Sequence, residues 1–583
     1  MKKTQRELFA ELHNARKQLA DNLKNPAVRS IWNSVTDKYR DQAHFVYELI
    51  QNADDAGATY ADFELKEDAV VFKHNGTRHF TVTPVEDEQY KNLKHGDINA
   101  ITGVSFSNKS EANTIGKFGV GFKAVFQYSN SPEIYDKYFR FELRDYIVPC
   151  ELDEDYPDRL PGETVFLLPF DNRRMPAKEA YRQIRHKLEN LTYPTLFLKN
   201  LQSVSYKVPD NSGLYRTTKT LIGQIKNTSI YRAELDRTRG DNVATEYAYI
   251  GMRNIGEHTI ASCFFCEENG RLVRKRIPVY CFFPTNEFTR LNFLLHAPFL
   301  LTDSREGIQS SNSHNEQMIE ELGKLSASTL LLLRDIGLRQ NQRIIDDNIL
   351  NIIPCDESLF TDRASSTQIS FHPVFQKIQN LFQTEKIIPT KTGYTSRENA
   401  YWPSSKLIPE VFTDLQLSQL LNKKGAYWVF TGEAGDETAK AGNPKGEYIR
   451  SLTVSRISED NLTTSITAEF IRKQDRESLC RLYEWLSINK SRIEKSRRLP
   501  VFLDAEGNPA CAMNSEGKYL LYIRGQSETT VATIHPDLMK DSRCHQLAQL
   551  MGIHEMNRDD QIENLLVQCE EKRLVQTPDY YFQ

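Results

Sequence analysis

The chain opens with two segments whose apolar residues recur at helical spacing. The first covers 6–24 and stops before Pro26, which predicts an amphipathic helix. The second covers about 41–56 and is followed by Gly57, a residue suited to the left-handed position that ends a helix. The pattern therefore predicts two helices at the start of the chain.

Strand-like patterns follow these helices. Apolar and polar residues alternate over 61–73 and lead into a turn at 74–76, and shorter strands are predicted at 138–143 and 163–169. Between them, 95–130 is rich in glycine, serine and asparagine, which is typical of a loop.

The rest of the chain divides at a composition shift near residue 171 and again at the end of a predicted helix. Residues 171–337 mix helical and strand-like patterns and end in a predicted helix over 315–336, with Gly337 placed to cap it. Beyond it, two similar runs of helix, hairpin and helix, with hairpins at 386–393 and 498–507, form a weak internal repeat. We therefore expect an α+β protein with domains at 1–170, 171–337 and 338–583.

Composition places the chain among globular proteins. Its 583 residues are 39% hydrophobic and 26% charged, which supplies enough apolar material for cores. Lys+Arg total 74 against Asp+Glu 78, so the net charge of -4 provides no general basic coat for nucleic acid.

The longest apolar runs, such as 291–301, are far shorter than a membrane span, and the first residues lack the apolar core of a signal peptide. We expect a soluble, cytoplasmic protein without a membrane partner.

The cysteine pattern does not suggest a disulfide framework, because nine cysteines are an odd number scattered along the chain. Cys263 and Cys266, with Cys281 further on, have no second pair of ligands, which a structural zinc site requires. Since the pair lies in an apolar, strand-like run, we expect reduced thiols in a core.

The first candidate site is the segment 48–56, which reads ELIQNADDA. On a helix, Glu48 and Asn52 are four residues apart and share one face. A carboxylate can take a proton from water, and a neutral amide oxygen one turn later can ligate magnesium without competing for that proton. Such pairs also occur on ordinary polar helix faces, which is the alternative interpretation of this segment alone.

A glycine pattern follows at 115–122, which reads IGKFGVGF. Glycines let backbone amides approach phosphate oxygens, and the helical pattern over 122–127 adds positive potential at its N-terminus. No short strand leads into the pattern as in a dinucleotide-binding Rossmann unit, and no Walker A lysine motif occurs. The loop is therefore predicted to bind phosphate groups.

Together, the helix with Glu48 and Asn52, the turn at Gly76 and the glycine loop resemble the GHKL ATPases, the ATP-binding domains of HtpG-type chaperones, gyrase, MutL and histidine kinases. IGKFGVGF is especially similar to the phosphate loop of the chaperones, and ELIQNADDA looks most like the sacsin branch. The resemblance covers about 30–335. It implies a Bergerat-type α/β sandwich over 1–170, a mixed α/β middle domain, and ATP and magnesium as ligands.

The resemblance also implies roles for individual residues. Glu48 would be the general base, Asn52 the magnesium ligand, and Asp55 the acidic residue about one turn further on. The residues expected to contact the nucleotide are His74 and Gly76 in the turn, Lys109 in a lid over 102–113, Gly116, Gly119, Val120, Gly121 and Phe122 in the glycine loop, and Thr164 in a late strand.

One motif departs from the GHKL pattern. The family's second motif usually carries an aspartate that binds the adenine amino group, whereas this chain has His74 in a His-Asn-Gly turn. Sacsin-like proteins often have His-Asn-Gly at this place, so the departure fits that branch. Neutral histidine can accept one hydrogen bond but offers no carboxylate, so His74 serves either the adenine or only the turn.

A later segment resembles the middle domain of HtpG-type chaperones, in which an arginine of a Ser-Arg-Glu motif reaches the nucleotide site. Here 300–306 reads LLTDSRE, preceded by the sacsin-like segments CFFP at 281–284 and HAPF at 296–299. The resemblance implies that Arg305 neutralises the γ-phosphate and reports that ATP is bound. The alternative is a surface arginine paired with Asp303 or Glu306.

The leading hypothesis is a magnesium-dependent ATPase whose lid and middle domain close as a switch or clamp, with a protein partner or an ATP-dependent dimer. Sacsin-like bacterial proteins occur in chaperone-like and antiphage defence settings, which the resemblance alone implies. Two alternatives remain: an interaction module that binds nucleotide without hydrolysing it, and a nucleic-acid clamp like MutL or the MORC proteins. Basic stretches at 271–276 and 490–498 are the basis of the last, which the acidic pI of about 6.4 does not favour.

Overall fold

The computed structural model describes residues 3–23, 45–89, 95–103, 122–302, 307–361, 369–433, 435–525, 531–558, 560–562 and 566. The chain forms two units, Met1–Asn380 and Leu381–Gln583. The domain boundaries predicted at 170 and 337 stay predictions. Within the described ranges, every helix is too short or too polar to cross a membrane.

The first unit combines helices with one large sheet. The helices described in it are α1 (Gln5–Leu23), α2 (Phe45–Asp55), α3 (Asp97–Thr102), α4 (Ala177–Glu189), α5 (Ser313–Gln340), α6 (Ile349–Ile352), α7 (Ser358–Thr361) and α8 (His372–Thr384), within which the boundary between the units falls. Its strands are β1 (Tyr60–Leu65), β2 (Ala69–His74), β3 (Glu133–Tyr135), β4 (Arg140–Arg144), β5 (Val148–Glu151), β6 (Thr164–Pro169), β7 (Ser203–Val208), β8 (Asn211–Ile225), β9 (Thr228–Arg239), β10 (Asn242–Ile255), β11 (His258–Cys266), β12 (Pro278–Cys281), β13 (Phe283–Phe288) and β14 (Leu294–His296). Two 3-10 helices cover Val85–Gln89 and Phe122–Gln127.

The sheet of the first unit has 14 strands in the order β13-β12-β14-β11-β10-β9-β8-β7-β1-β2-β6-β3-β4-β5. Neighbouring strands are antiparallel except β1–β7 and β12–β14, which are parallel. In the β1–β7 pair, Tyr60 lies opposite Ser203, so strands before and after residue 170 belong to one sheet. The predicted α+β class is confirmed as helices with a large mixed sheet, while the finer GHKL sandwich stays a prediction.

The single strand expected over 61–73 is instead a hairpin. Strands β1 and β2 pair in antiparallel register, with Ala61 opposite His74 and Leu65 opposite Val70. The chain reverses at Lys66, whose backbone N–H donates to the carbonyl of Ala69 at 2.8 Å. The polar residues between the strands form this turn. Because apolar and polar residues alternate through it without a break, the sequence pattern does not show where the first strand ends.

Helix predictions were accurate where one face is apolar and less so at the ends. Helix α1 covers nearly the expected range, and its Phe9 stacks on Phe139 with ring centroids 5.6 Å apart. The predicted cap at Gly337 is wrong, because α5 continues to Gln340 and ends at Asn341, which has φ 51°. A Cβ on Gly337 would lie 2.5 Å from the carbonyl oxygen of Gln342, so this glycine permits close packing inside the helix.

The second unit consists of short elements. Its described helices are α9 (Ile408–Val411), α10 (Asp414–Leu420), α11 (Gly435–Thr438), α12 (Pro444–Ser451), α13 (Glu459–Thr464), α14 (Ala468–Arg472), α15 (Arg476–Ser487), α16 (Lys490–Ser496), α17 (Pro536–Met539) and α18 (Ser542–Met551). Its strands are β15 (Ile388–Pro389), β16 (Tyr394–Thr395), β17 (Ala400–Pro403), β18 (Tyr427–Trp428), β19 (Ser455–Ile457), β20 (Phe502–Leu503) and β21 (Pro509–Ala510). The pairs β15–β16 and β20–β21 form hairpins at the two predicted places. Repetition of whole units stays a prediction.

Candidate functional site

Helix α2 has a buried apolar face, and its polar residues Glu48 and Asn52 are partly buried. Its apolar residues, including Phe45, Leu49 and Ile50, are fully buried. Phe45 contacts Tyr128, with ring centroids 5.3 Å apart. Glu48 and Asn52 lie one turn apart on the same helix and are only partly buried. Burial of the apolar face therefore fixes which way these two side chains face.

A segment far along the sequence reaches the same helix. Tyr47 stacks on Phe283, with ring centroids 4.5 Å apart, and Phe283 belongs to the CFFP segment. Phe283 also joins the buried cluster that contains Phe45 and Leu49. The structure thus places this segment against the residue that precedes Glu48. Arg305, predicted to act from a later segment, lies outside the described residues.

The turn after β2 is built by three consecutive residues. His74 is 3% exposed, and its Nδ1 accepts a hydrogen bond from the backbone N–H of Gly76 at 3.1 Å. Asn75 Oδ1 accepts from the backbone N–H groups of Thr59 at 2.9 Å and Tyr60 at 3.2 Å. A Cβ on Gly76 would lie 2.7 Å from the Cβ of Ala56, so only glycine fits between the turn and the end of α2.

The electrostatic state of His74 follows from its burial. Desolvation lowers its pKa to about 4, although the nearby Asp136 carboxylate opposes the shift. At neutral pH the ring is therefore uncharged. Because Nδ1 already accepts from Gly76, the remaining ring proton is on Nε2. The acceptor that the sequence assigned to His74 is used by the turn, and the ring offers a donor instead.

Asp136, which the sequence analysis did not identify, has a buried carboxylate that forms hydrogen bonds to two neighbouring segments of the chain. The side chain of Asp136 is fully buried, and its Oδ1 accepts from the Thr164 hydroxyl at 2.8 Å. The same atom lies 2.9 Å from His79 Nδ1, and Oδ2 accepts from the backbone N–H of Phe80 at 3.2 Å. Asp136 therefore anchors Thr164 and the chain after the turn.

One pocket brings together several residues predicted from separate motifs. Its lining includes Asn52, His74, Phe122 and Thr164. The other described residues of the lining are Ala56, Arg78, His79, Phe80, Asp97, Ile101 and Phe166.

Other predicted site residues do not line this pocket or lie outside the described part. Glu48 is one turn before Asn52 on α2, Asp55 ends that helix, and Gly76 supports His74 from the turn. The residues outside the described ranges are Lys109, Gly116, Gly119, Val120, Gly121 and Arg305.

The adjacent residues Asp54 and Asp55 have different environments. Asp54 is buried, and its carboxylate accepts from the backbone N–H groups of Lys199, Asn200 and Leu201 at 3.1, 2.6 and 2.8 Å. Asp55 retains considerable exposure, yet surrounding protein and the Asp54 charge raise its pKa to about 6. The sequence suggested a site role for Asp55 but gave no signal for the structural role of Asp54.

Both basic stretches proposed as nucleic-acid contacts are engaged in ion pairs within their own unit. These pairs are Arg271–Asp346, Lys275–Glu246, Arg492–Glu459, Lys495–Asp460 and Arg497–Glu494. Such pairing is typical of solvated protein faces and weakens the nucleic-acid alternative. Cys263 and Cys266 are buried in β11, as expected for core thiols.

The buried neutral His74 predicts a pH effect on stability. An unfolded histidine has a pKa of about 6.5, so between about pH 6.5 and 4 the unfolded chain binds a proton that folded His74 does not. The unfolding free energy should therefore fall as pH falls through this window, by about 3 kcal/mol from this residue. His74→Asn, which does not titrate, should lose less stability on acidification.

Amide exchange in β2 and β6, measured on both proteins from pH 7 to pH 4.5, checks this expectation. A stability difference that stays constant across the range would contradict it.

Comparison with known proteins supports the sacsin-like part of the resemblance. Residues 25–138 match the sequence model of the Sacsin domain. Over 338 residues the chain is 25% identical to Protein NO VEIN of Arabidopsis thaliana, a match that covers 50% of this chain and 11% of that protein. The predicted similarity to the sacsin branch is confirmed over the matched residues. The chain spans a small part of the length of this relative.

Proposed function

We propose that the first unit binds ATP with magnesium at the pocket beside α2 and hydrolyses it, so that nucleotide state switches the conformation of the chain. The observation that carries this proposal is the convergence of Asn52, His74, Phe122 and Thr164, from four separate motifs, on one pocket. The Sacsin-domain match over 25–138, which includes three of them, supports the same assignment.

The residues of the pocket suit a magnesium–nucleotide complex. Asn52 offers a neutral amide oxygen, and magnesium is commonly bound by one or two protein oxygens together with phosphates and water. The other ligands of the ion would be phosphate oxygens and water. When bound, the ion would neutralise phosphate charge. Glu48, one turn before Asn52, would accept the proton of the attacking water.

The glycine loop, the lid over 102–113 and Arg305 would complete the proposed site, in the roles that the resemblance implies. Closing of the lid and of the Arg305 segment around the γ-phosphate would make the chain a switch or clamp for a protein partner or a second copy. Chaperone-like remodelling and antiphage defence remain proposals that rest on the resemblance to sacsin-like bacterial proteins.

Asn52→Ala tests the magnesium site directly. We expect it to weaken magnesium-dependent ATP binding by roughly tenfold or more, because the amide oxygen that would ligate the ion is lost. Calorimetry with ATP, in magnesium and in chelator, measures the effect. Gln51→Ala is the matched control, since Gln51 is an equally half-buried amide on α2 outside the pocket lining. Equal affinities of the two variants would remove Asn52 from the site.

A further inference from the structure

A second cavity of the first unit lies at the start of helix α5. Its volume is about 1130 Å³, and its lining comes from the end of β13, the first turns of α5 and the start of α8. This lining shares no residue with the described lining of the pocket beside α2. Small-molecule sites usually enclose about 300–1,000 Å³, so the cavity has room for more than a small ligand.

Two arginines of this cavity have no partner of opposite charge. Arg276 precedes β12, Arg290 follows β13, and both are exposed. Among the described residues, neither side chain forms an ion pair or a hydrogen bond. Lys275, which is next to Arg276, pairs instead with Glu246. The cavity therefore holds two guanidinium groups that are available to a ligand.

The backbone of the cavity includes two residues in the left-handed region. Arg290 has φ 62° and Ser311 has φ 56°, and both line the cavity. This conformation is uncommon for residues other than glycine, although asparagine adopts it more readily. Sparsely populated backbone conformations cluster at binding and catalytic sites. The conformation of Arg290 thus agrees with a binding role for its side chain.

The three glutamates in the lining have other neighbours. Glu320 pairs with Lys377 at 3.7 Å. Glu316 lies in the first turn of α5, where the helix dipole stabilises a negative charge. The Oε1 atom of Glu287 lies 3.3 Å from the place that a Cβ on Gly307 would take. Because these carboxylates would repel a compact, highly charged anion such as phosphate, single carboxylates are the better ligands for the arginines.

Apolar side chains and a strand edge complete the cavity. Phe288 of β13 is 56% exposed, whereas Phe360 and Phe371 are largely buried in the lining. Strand β13 is the outermost strand on its side of the described sheet, so one side of its backbone pairs with no strand of that sheet. A free strand edge is a template for an extended peptide. The occupant that suits this cavity therefore combines carboxylates, apolar side chains and backbone groups.

We propose that the cavity binds an extended acidic peptide segment of a partner protein, with two of its carboxylates bound by Arg276 and Arg290 and an apolar side chain packed against Phe288. The planar guanidinium group binds a carboxylate through two parallel hydrogen bonds. Arginine and aromatic residues also contribute much of the affinity at protein interfaces. The proposal does not depend on nucleotide binding, because the two sites have separate linings.

An array of short synthetic peptides tests the proposal on the full chain. Each peptide carries two aspartates at a defined spacing among leucine, phenylalanine and serine, and matched arrays carry asparagine or lysine in place of aspartate. The aspartate peptides should be bound in preference to both. In solution, the best of them should bind roughly tenfold or more tightly than its asparagine counterpart, which fluorescence anisotropy measures.

Two variants and a control assign the binding to this cavity. Arg276→Ala and Arg290→Asn should each remove most of the preference for aspartate. Since asparagine tolerates the left-handed backbone at position 290, that variant should be no less stable to heat than wild type. Arg274→Ala is the matched control, because Arg274 is an exposed arginine of the same stretch outside the lining, and it should bind as wild type does.

The outcomes are decisive for the peptide and separate from the nucleotide site. Equal binding of aspartate and asparagine peptides, no binding of any peptide in the arrays, or an unchanged preference in both arginine variants would overturn the proposal. Displacement of the peptide by inorganic phosphate or by a single-stranded oligonucleotide at equal concentration would also overturn it, and would assign the arginines to a phosphate ligand. Calorimetry with magnesium–ATP on Arg276→Ala should match wild type, so failure of the proposed nucleotide site would be seen independently.

Discussion

Asp54→Ala is expected to lower the stability of the first unit by about 4 kcal/mol. The substitution removes the acceptor for three backbone N–H groups, those of Lys199, Asn200 and Leu201. These amides immediately precede β7, and Gln202 N–H then donates to the Thr59 carbonyl at 3.0 Å. Asp54 therefore connects the C-terminal end of α2 to the segment that leads into β7, the strand that pairs with β1.

The loss should be concentrated at this junction. Amide exchange in β1 and β7 measures it better than tryptophan fluorescence, because three of the four tryptophans, Trp402, Trp428 and Trp485, lie in the second unit. Protection in those two strands should fall, while protection in the second unit should stay at the wild-type level. The second unit thereby serves as an internal reference.

Asp55→Ala provides a matched control one residue away. Asp55 ends the same helix but is exposed, and its raised pKa indicates that its surroundings do not stabilise the ionised form. Its replacement should change stability by no more than about 0.5 kcal/mol. Similar losses in the two variants would mean that helix α2 is sensitive to any change at its end, and that the Asp54 contacts are not responsible.

The contrast between Asp54 and Asp55 marks the limit of inference from the sequence. Helix α2 could be predicted, because local apolar periodicity determines which of its faces is buried. The different roles of the two aspartates arise from amides about 145 residues away, and no local pattern reports such a contact. The same holds for Asp136, whose partners His79 and Thr164 come from other strands or turns.

The site could be predicted in outline but not in its hydrogen bonding. The resemblance to the GHKL ATPases predicted Asn52, His74, Phe122 and Thr164 as site residues, and these four share a pocket. The direction of each hydrogen bond depends on a third residue, Gly76 for the ring of His74 and Asp136 for the hydroxyl of Thr164. The cap predicted at Gly337 failed for a related reason, because tertiary packing at that glycine took precedence over its local preference.

Glu48→Ala is expected to reduce ATP hydrolysis at least a hundredfold, which is the usual order of loss when a general base is removed. Binding of magnesium–ATP should change little, because Asn52 and the pocket residues that would bind the ligand remain. Phosphate release and calorimetry on the same preparation separate the two quantities. Glu48→Gln should behave in the same way, since it keeps the shape of the side chain but cannot take a proton at neutral pH.

This pair of variants also distinguishes the switch from a module that only binds nucleotide. In the switch, wild type hydrolyses ATP and both Glu48 variants retain the bound triphosphate. In the static module, wild type binds ATP without releasing phosphate, and the substitutions change nothing. Gln51→Ala controls for disturbance of α2, because it alters the same turn of helix without removing a carboxylate. Wild-type turnover in Glu48→Ala would exclude Glu48 as the base, because the proton of the attacking water would then be accepted by another group.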